Sequence, residues 1–415
     1  RAASLIKSRL DAFVAAEIAD SGHPRQSVAG IEIPRAAQQL EVFGDIAASP
    51  EQHAEFRTSL PGGGEAINTV QRMPKGVIAA ICPWNLPLIM ATWKIAPALA
   101  WGNCVVLKPS EFTPSTAAML GEVFNEAGLP PGVLNILHGF GPGSTGEFIV
   151  SHPGIDAINF TGETATGTVI MRAAAVGVRD VSLELGGKNA ALILNDCDME
   201  RAVAGTAASA FYNCGQICLG TERIYVARSR LDEFVAKLTL AARKHVIGDP
   251  EHQRTTLGPL VSHEHRDKVL KCFARARDEG AEIVTGGGIP DVPETLAAGA
   301  WIEPTIWTGL SEDAVTVREE IFGPCCHVQP VDNDEEAIAL ANDSPYGLAA
   351  TVWSSDPDRA QAVASRLRVG VCWINSWMIR DLRTPFGGVG QSGVGREGGA
   401  HALEFHTEIK NICHL

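Results

Sequence analysis

An α/β protein made of two parallel-sheet halves is what the 415 residues predict, and three observations predict it. From about Lys75 onward, short apolar runs alternate with helical patterns, the signature of parallel strands joined by crossover helices. The series stops at Gly186-Gly187 and begins again at Asn189, so two mononucleotide-fold-like halves meet there. A hydrophobic fraction of 45%, with 42 Gly and 24 Pro, belongs to an ordinary globular chain and not to a disordered or fibrous one.

The elements follow in order. Ala2 to Ala19 reads as an amphipathic helix that begins at once after Arg1, so a preceding segment is expected. Arg35 follows Pro34 in the first turn of a helix running to Phe43. A cation there opposes the helix macrodipole, and arginine and dipole together would attract an anion. Phe56 to Met73 is Gly-containing and ends in a polar, strand-like stretch. Strands are predicted at Gly76–Cys82 and Cys104–Leu107, then a helix with Thr113 as N-cap, Pro114 in its first turn and Gly128 as its stop. Strands Val133–Leu137, Ala157–Phe160 and Val181–Leu185 complete the first half. The second begins near Asn189 and contains helices Met199–Tyr212 and Leu231–His245. Its strands are Arg223–Val226, Ala281–Thr285, Thr305–Thr308 and Ala349–Trp353. The tail from His401 to Leu415 looks extended. Residues 1–55 with 75–186 are expected to form one unit and 187–400 the other. Residues 56–74 and 401–415 are expected to be strands that pair elsewhere, often across a subunit boundary.

Composition excludes several classes of function. The formal net charge is -14 with Lys and Arg scattered, whereas nucleic acid and anionic membranes need a concentrated basic patch. Neither is expected as a partner. An anionic small substrate would need local arginines. The ten cysteines form no C-x-x-C pair and show no zinc-ligand spacing, so no metal site is expected. A disulfide framework is not expected in so large a chain, and a reducing cytoplasm fits. No apolar run reaches the roughly 18 residues of a membrane helix, and no signal-peptide pattern opens the chain.

The chemistry centres on Asn213-Cys214-Gly215-Gln216-Ile217-Cys218, where a helix and a Gly-containing turn can present the Cys218 thiol on a tight loop. Alone, such a cysteine is more often a buried small hydrophobe. Upstream stands Glu184-Leu185-Gly186-Gly187-Lys188. A carboxylate at a strand end beside two glycines can activate water, or can simply pair with Lys188. Asn85, in Pro83-Trp84-Asn85 at the end of an apolar strand, can donate to an oxyanion, or can merely satisfy its own turn.

Together with Lys108-Pro109-Ser110-Glu111, Phe160-Thr161-Gly162 and Glu319-Glu320-Ile321-Phe322-Gly323-Pro324, these motifs resemble the aldehyde dehydrogenase superfamily in order and spacing, from about Ala3 to the C-terminus. The resemblance implies two Rossmann-like domains plus a small oligomerisation arm. The NAD-binding domain would be 1–55 and 75–186, the catalytic domain 187–400, and the oligomerisation strands 56–74 and 401–415. Members usually carry roughly 80 further N-terminal residues, and a homodimer or homotetramer is implied. Cys218 would be the nucleophile, Asn85 an oxyanion donor and Glu184 the base that hydrolyses a thioester.

The only G-x-G-x-x-G, Gly141 to Gly146, lacks the acidic residue a dinucleotide fingerprint needs, so it is read as a decoy. The resemblance instead gives the cofactor to Ile81, Pro83, Trp84, Lys108, Ser110, Glu111, Phe160, Gly162, Glu163, Leu185, Glu320 and Phe322. Glu111 would repel a 2′-phosphate, so NAD is expected over NADP. Glu163 departs from the usual serine, and a carboxylate near phosphates is awkward unless it turns away or binds a ribose.

Arg380-Asp381-Leu382-Arg383-Thr384-Pro385-Phe386-Gly387-Gly388, Glu163 and the closing His406 to Cys413 resemble the branch acting on 2-hydroxymuconic and 2-aminomuconic semialdehydes. In that branch Arg35 and Arg380 would bind the substrate's distal carboxylate. The plain alternative is ion pairing, such as Arg380 with Asp381. A general or betaine aldehyde dehydrogenase, a CoA-acylating relative and a non-catalytic protein on the same fold remain as rivals.

Overall fold

The computed structural model describes residues 1–49 and 54–415; residues 50–53, assigned from sequence to the first unit, lie outside the described residues. The strands are β1 (Ala54–Ser59), β2 (Glu65–Pro74), β3 (Val77–Ile81), β4 (Cys104–Lys108), β5 (Leu134–Ile136), β6 (Ala157–Thr161), β7 (Asp180–Glu184) and β8 (Asn189–Ile193). They continue as β9 (Thr221–Ala227), β10 (Glu282–Thr285), β11 (Thr305–Thr308), β12 (Cys325–Val331), β13 (Ala349–Trp353), β14 (Val371–Ile374), β15 (Gly393–Val394) and β16 (Thr407–His414).

The first sheet has the order β15-β7-β6-β3-β4-β5, parallel except for β15. The chain starts at central β3, steps outward through β4 and β5, then returns to β6 and β7 on the other side. The order therefore reverses between β3 and β6, and a crevice at such a switch point, at the carboxyl ends of the strands, is where open α/β sheets bind ligands. Ile78, Ala80, Val105 and Leu107 are fully buried in one core with residues of helices Pro87–Ala100 and Ser115–Ala127 and of the N-terminal helices. Ala79, Ile158 and Leu183 belong to a second core.

The second sheet runs β10-β11-β12-β9-β8-β13-β14, parallel except for β10. Every residue of β8 is buried, with Ala191 and Ile193 in one core and Ala190 and Leu192 in another. The third sheet, β1-β2-β16, is antiparallel. The two segments expected to seek partners elsewhere thus pair with each other within the chain, because β16 lies along β2 from Thr407↔Pro74 to His414↔Ile67.

Several local expectations are corrected. The opening helix breaks at Arg9 into Ala2–Ser8 and Leu10–Ser21. Pro114, not Thr113, stands at the N-cap of helix Ser115–Ala127, while Gly128 ends it at φ 92°. The tail begins as a helix, His401–His406, before β16. β15 lies within 187–400 by sequence yet pairs with β7 in the first sheet. Arg35 does not sit at a free helix N-terminus. Helix Ile33–Ala47 continues from a π-helical turn, Val28–Glu32, which itself follows Arg25–Ser27. The amides near Arg35 are therefore inside a continuous ladder, and the dipole argument for anion binding there fails.

Candidate active site

A cavity of about 1030 Å³ lies against the carboxyl ends of the first sheet and the loop that follows helix Met199–Phe211; Cys218, Glu184, Asn85, Arg35, Arg380 and Glu320 all line it. A second groove, of about 740 Å³ along Leu231 to Arg243, carries none of them.

The Cys218 loop is built by backbone conformations that side chains rarely adopt. After the helix ends at Phe211, Asn213, Cys214 and Gly215 are all left-handed, at φ 51°, 56° and 71°. A non-glycine residue held this way costs of order 1–3 kcal/mol, so neighbours must fix it. Asn213 Nδ2 donates to the Asn85 carbonyl at 2.8 Å, and Gln216 Nε2 donates to Asn213 O at 3.0 Å. Only glycine fits at 215, where a Cβ would stand 2.0 Å from Gly323 O. Asn189 Nδ2 then donates to the carbonyls of Cys218 (2.7 Å) and Gly220 (2.8 Å), tying the loop to the start of β8.

Cys218 ends half-buried. Burial pushes its thiol up to about 12, and the carboxylates of Glu320 and Glu184 act the same way, while the N–H groups of Cys218 and Leu219 favour the thiolate. Cys214 is a different cysteine, buried in an apolar cluster with Val269, Phe273 and Trp307.

Glu184 closes β7 and is 4% exposed. Among the described residues neither carboxylate oxygen has a hydrogen-bond partner. Lys188, its alternative partner from sequence, instead pairs with buried Glu222. Burial holds the Glu184 carboxyl well above the ordinary range; Glu397 adds to this, and Lys94, Arg396 and Arg380 oppose it. Asn85 is also buried. Its Nδ2 donates to Gln216 O at 2.9 Å, a contact across to the Cys218 loop and not within its own turn.

The residues assigned to the cofactor gather at one edge. Ile81, Pro83 and Trp84 end β3; Lys108, Ser110 and Glu111 end β4; Phe160, Gly162 and Glu163 end β6; Leu185 follows β7. These four strands are neighbours. Buried Lys108 donates to Pro109 O at 3.0 Å and meets Glu111 Oε2 at 3.4 Å, and the Ser110 hydroxyl accepts from Phe112 N. Across the cleft, Glu320 Oε1 accepts from Gly187 N at 2.8 Å, and burial lifts its carboxyl to about 8. Phe322 is left-handed at φ 62° and packs edge-on to Trp84, with ring centroids 5.4 Å apart. Glu163 stands at the N-cap of helix Thr164–Ala175 without capping it, and its carboxylate faces Lys268 Nζ at 3.7 Å. Glu163 and Lys268 both line the cavity. Ile81, Lys108, Ser110, Glu111 and Phe160 stand outside the cavity lining, as does the Gly141 to Gly146 loop.

Arg35 and Arg380 meet on the cavity wall, with Arg35 Nη2 donating to the Arg380 carbonyl at 2.9 Å. The Arg380 guanidinium sits 4.4 Å from the Trp93 ring and 4.2 Å from the Phe386 ring, and no described carboxylate bonds to it. Asp381 pairs with Arg383 instead, at 2.6 Å. Burial and the adjacent Arg35 lower Arg380 to about 10, which still leaves it charged at neutral pH.

Sequence reasoning missed other groups here. Lys94, fully buried, bonds Asn159 Oδ1 at 2.5 Å and Glu397 Oε1 at 3.3 Å, and Trp93 Nε1 also donates to Glu397. His265 lines the cavity, its ring 5.1 Å from Trp84 and its Nε2 2.8 Å from Phe322 O; burial lowers it to about 4, so it is neutral. A lysine inside an apolar helix was the one available signal for the first of these. None pointed to His265.

This fold and site define a class. The chain belongs to the aldehyde dehydrogenase family, whose family model matches residues 1–412. Its relatives are more particular. It is 56% identical over 413 residues to the 2-hydroxymuconic semialdehyde dehydrogenase of Pseudomonas sp. (strain CF600), covering 100% of this chain and 85% of that one. It is 52% identical over 413 residues to the 2-aminomuconic 6-semialdehyde dehydrogenase of Pseudomonas sp., covering 100% and 84%. An NAD+ complex of aldehyde dehydrogenase from Bacillus cereus superposes with a TM-score of 0.94 at 37% identity, covering 100% of this chain and 82% of that one.

Proposed function

We propose that this enzyme uses NAD to oxidise a semialdehyde bearing a distal carboxylate to the dicarboxylic acid, the substrate class being 2-hydroxymuconic or 2-aminomuconic semialdehyde. The observation that carries the reading is Arg380. It is a half-buried cation held by aromatic faces, without a carboxylate partner among the described residues, in the same cavity as Cys218. The relatives named for muconic semialdehydes support it.

The residues present fit NAD. Glu111 beside Lys108 offers an acceptor for ribose hydroxyls at the end of β4, and Glu320 offers another in the cavity. Gly186 leaves room beside Glu320, since a Cβ there would stand 2.2 Å from Glu320 Oε2. When bound, NAD supplies the hydride acceptor.

The protein's own groups do the rest. Cys218 Sγ gives its proton to solvent water in the cavity and attacks the aldehyde carbon as the thiolate, the charged sulfur being favoured by the N–H groups of Cys218 and Leu219. One Asn85 amide proton is committed to Gln216 O; the other, with the Cys218 N–H, holds the oxyanion of the thiohemiacetal. Loss of hydride leaves a thioester on Sγ. Glu184, raised in basicity and without a partner among the described residues, takes a proton from water as the oxygen attacks the thioester carbon, which frees the acid and restores the thiol. A general or betaine aldehyde dehydrogenase would share these steps but would not need the two arginines. The third sheet, with seven of eight β16 residues exposed, supports a homodimer or homotetramer, and the cysteines without disulfides suit the cytoplasm.

The test is kcat/KM for muconic semialdehyde and for hexanal in the wild type, Arg35→Ala and Arg380→Ala. Loss of one charge-assisted contact costs about 1.5–3 kcal/mol, or roughly 10- to 150-fold, on the carboxylate-bearing substrate, with hexanal nearly unchanged. Equal loss on both would make the arginines structural and remove the reading.

A further inference from the structure

Gln39 lies in the substrate wall and has no part in the steps above. Its residue is 1% exposed, yet it lines the cavity. Of the three acceptors near the Thr92 hydroxyl, Gln39 Oε1 at 2.5 Å is nearer than Leu88 O at 2.9 Å and Ile89 O at 3.2 Å, and a bond to it orients the amide. Gln39 Nε2 has no partner among the described residues and is not a fully enclosed orphan either, so it reaches the cavity surface. A buried amide anchored at one end and open at the other is a built donor. Gln39 stands four positions after Arg35 on helix Ile33–Ala47, which puts the two on one face with Cβ atoms about 5–6 Å apart. Thr92 is followed by Trp93, the ring on which Arg380 rests, so Arg35, Arg380 and Gln39 share one stretch of wall.

We infer that Gln39 is a specificity residue whose Nε2 donates a hydrogen bond to an oxygen on the carbon next to the substrate's distal carboxylate. The inference rests on the carboxylate reading of Arg35 and Arg380. With the carboxylate on the arginines, an oxygen on the adjacent carbon faces the stretch of wall that carries Nε2. A hydroxyl or keto oxygen accepts that bond. An amino group conjugated to the diene delocalises its lone pair and is a poor acceptor, so the site favours an oxygen substituent over nitrogen. Thr92 is the positioning residue, because without its hydroxyl the amide can turn.

The experiment measures kcat/KM for 2-hydroxymuconic semialdehyde, muconic semialdehyde without the substituent, and hexanal, in the wild type, Gln39→Leu and Thr92→Val. Gln39→Leu is expected to lose about tenfold on the hydroxylated substrate, the fold-change of one neutral hydrogen bond, and less than about twofold on the other two. Thr92→Val keeps the glutamine and should lose about threefold on the hydroxylated substrate alone. It also keeps the inference testable if Gln39→Leu folds poorly, since valine keeps the shape of Thr92 and the acceptor that loses its donor is Gln39 Oε1, the atom whose anchoring is under test. Equal losses on all three substrates, or none on the hydroxylated one, would overturn it. Failure of the underlying reading shows separately, as a wild type that prefers hexanal to unsubstituted muconic semialdehyde.

Discussion

Two regions of this molecule treat their buried carboxylates differently. Among the N-terminal helices, Glu17 is fully buried and Glu32 is 1% exposed. Glu17 accepts from Leu88 N at 3.1 Å and from the Thr116 hydroxyl at 2.5 Å. Glu32 meets His23 Nδ1 at 3.0 Å and the Tyr212 hydroxyl at 3.4 Å. At the end of β7, Glu184 is buried almost as deeply, yet neither of its oxygens has a partner among the described residues. An unmet buried acceptor costs about 1–3 kcal/mol. The first region uses its buried carboxylates to join helices; the second leaves both oxygens of one carboxylate without a partner among the described residues. The arginines repeat the contrast. Exposed Arg383 takes Asp381, and half-buried Arg380 is left with two ring faces.

The largest effect that would break this contrast lies at the cysteines. Cys218→Ala should lower aldehyde oxidation by about 10⁴-fold or more, as loss of a covalent nucleophile does, while NAD binding measured by fluorescence titration stays intact. Cys214→Ala, within its apolar cluster, should keep most activity. Retained turnover in the first variant, or its loss only in the second, would move the nucleophile.

A smaller effect sharpens the N-terminal side. Burial and Glu32 raise Glu17 from 4.5 to about 7. The native state therefore binds that proton more tightly than the unfolded chain does. The stability this gives is full below about pH 4.5 and is lost as pH rises through 7. His23, also raised, acts with the same sign. In urea titrations at pH 5 and pH 8, the stability of Glu17→Gln relative to wild type should rise by about 2–3 kcal/mol between the two. No change in that difference would mean the pair of bonds, and not the proton, decides its state.

How much of this was legible in the sequence depended on how local each signal was. Strands Thr305–Thr308 and Ala349–Trp353 match β11 and β13, because apolar runs between turn residues need no distant partner to be read. β12 was missed, its Cys325-Cys326-His327 start and internal Pro330 hiding a run whose first four residues are buried. β15 is two residues held only by β7, and nothing near it in sequence forecasts that pairing. Within the site, Cys218, Glu184 and Asn85 were visible as motifs. The unpaired state of Glu184 was not, since it depends on Glu222 taking Lys188 from the far side of the catalytic loop. Arg35 was found with a reason that fails, its helix being continuous with the turn before it. Lys94, Glu397 and Gln39 matter only through contacts across dozens to hundreds of residues.

The central claim is that the unpartnered Glu184 hydrolyses a thioester on Cys218 and does nothing earlier that cannot be spared. Glu184→Ala strands no described donor, because none among the described residues bonds to its oxygens. Rapid mixing of this variant with NAD and muconic semialdehyde, followed by NADH absorbance and intact-mass analysis of the protein, tests the claim directly. A stoichiometric burst of NADH, then a stall with the acyl group on the enzyme, is the predicted result. Loss of the burst with no adduct on Cys218 would contradict it and place Glu184 before hydride transfer.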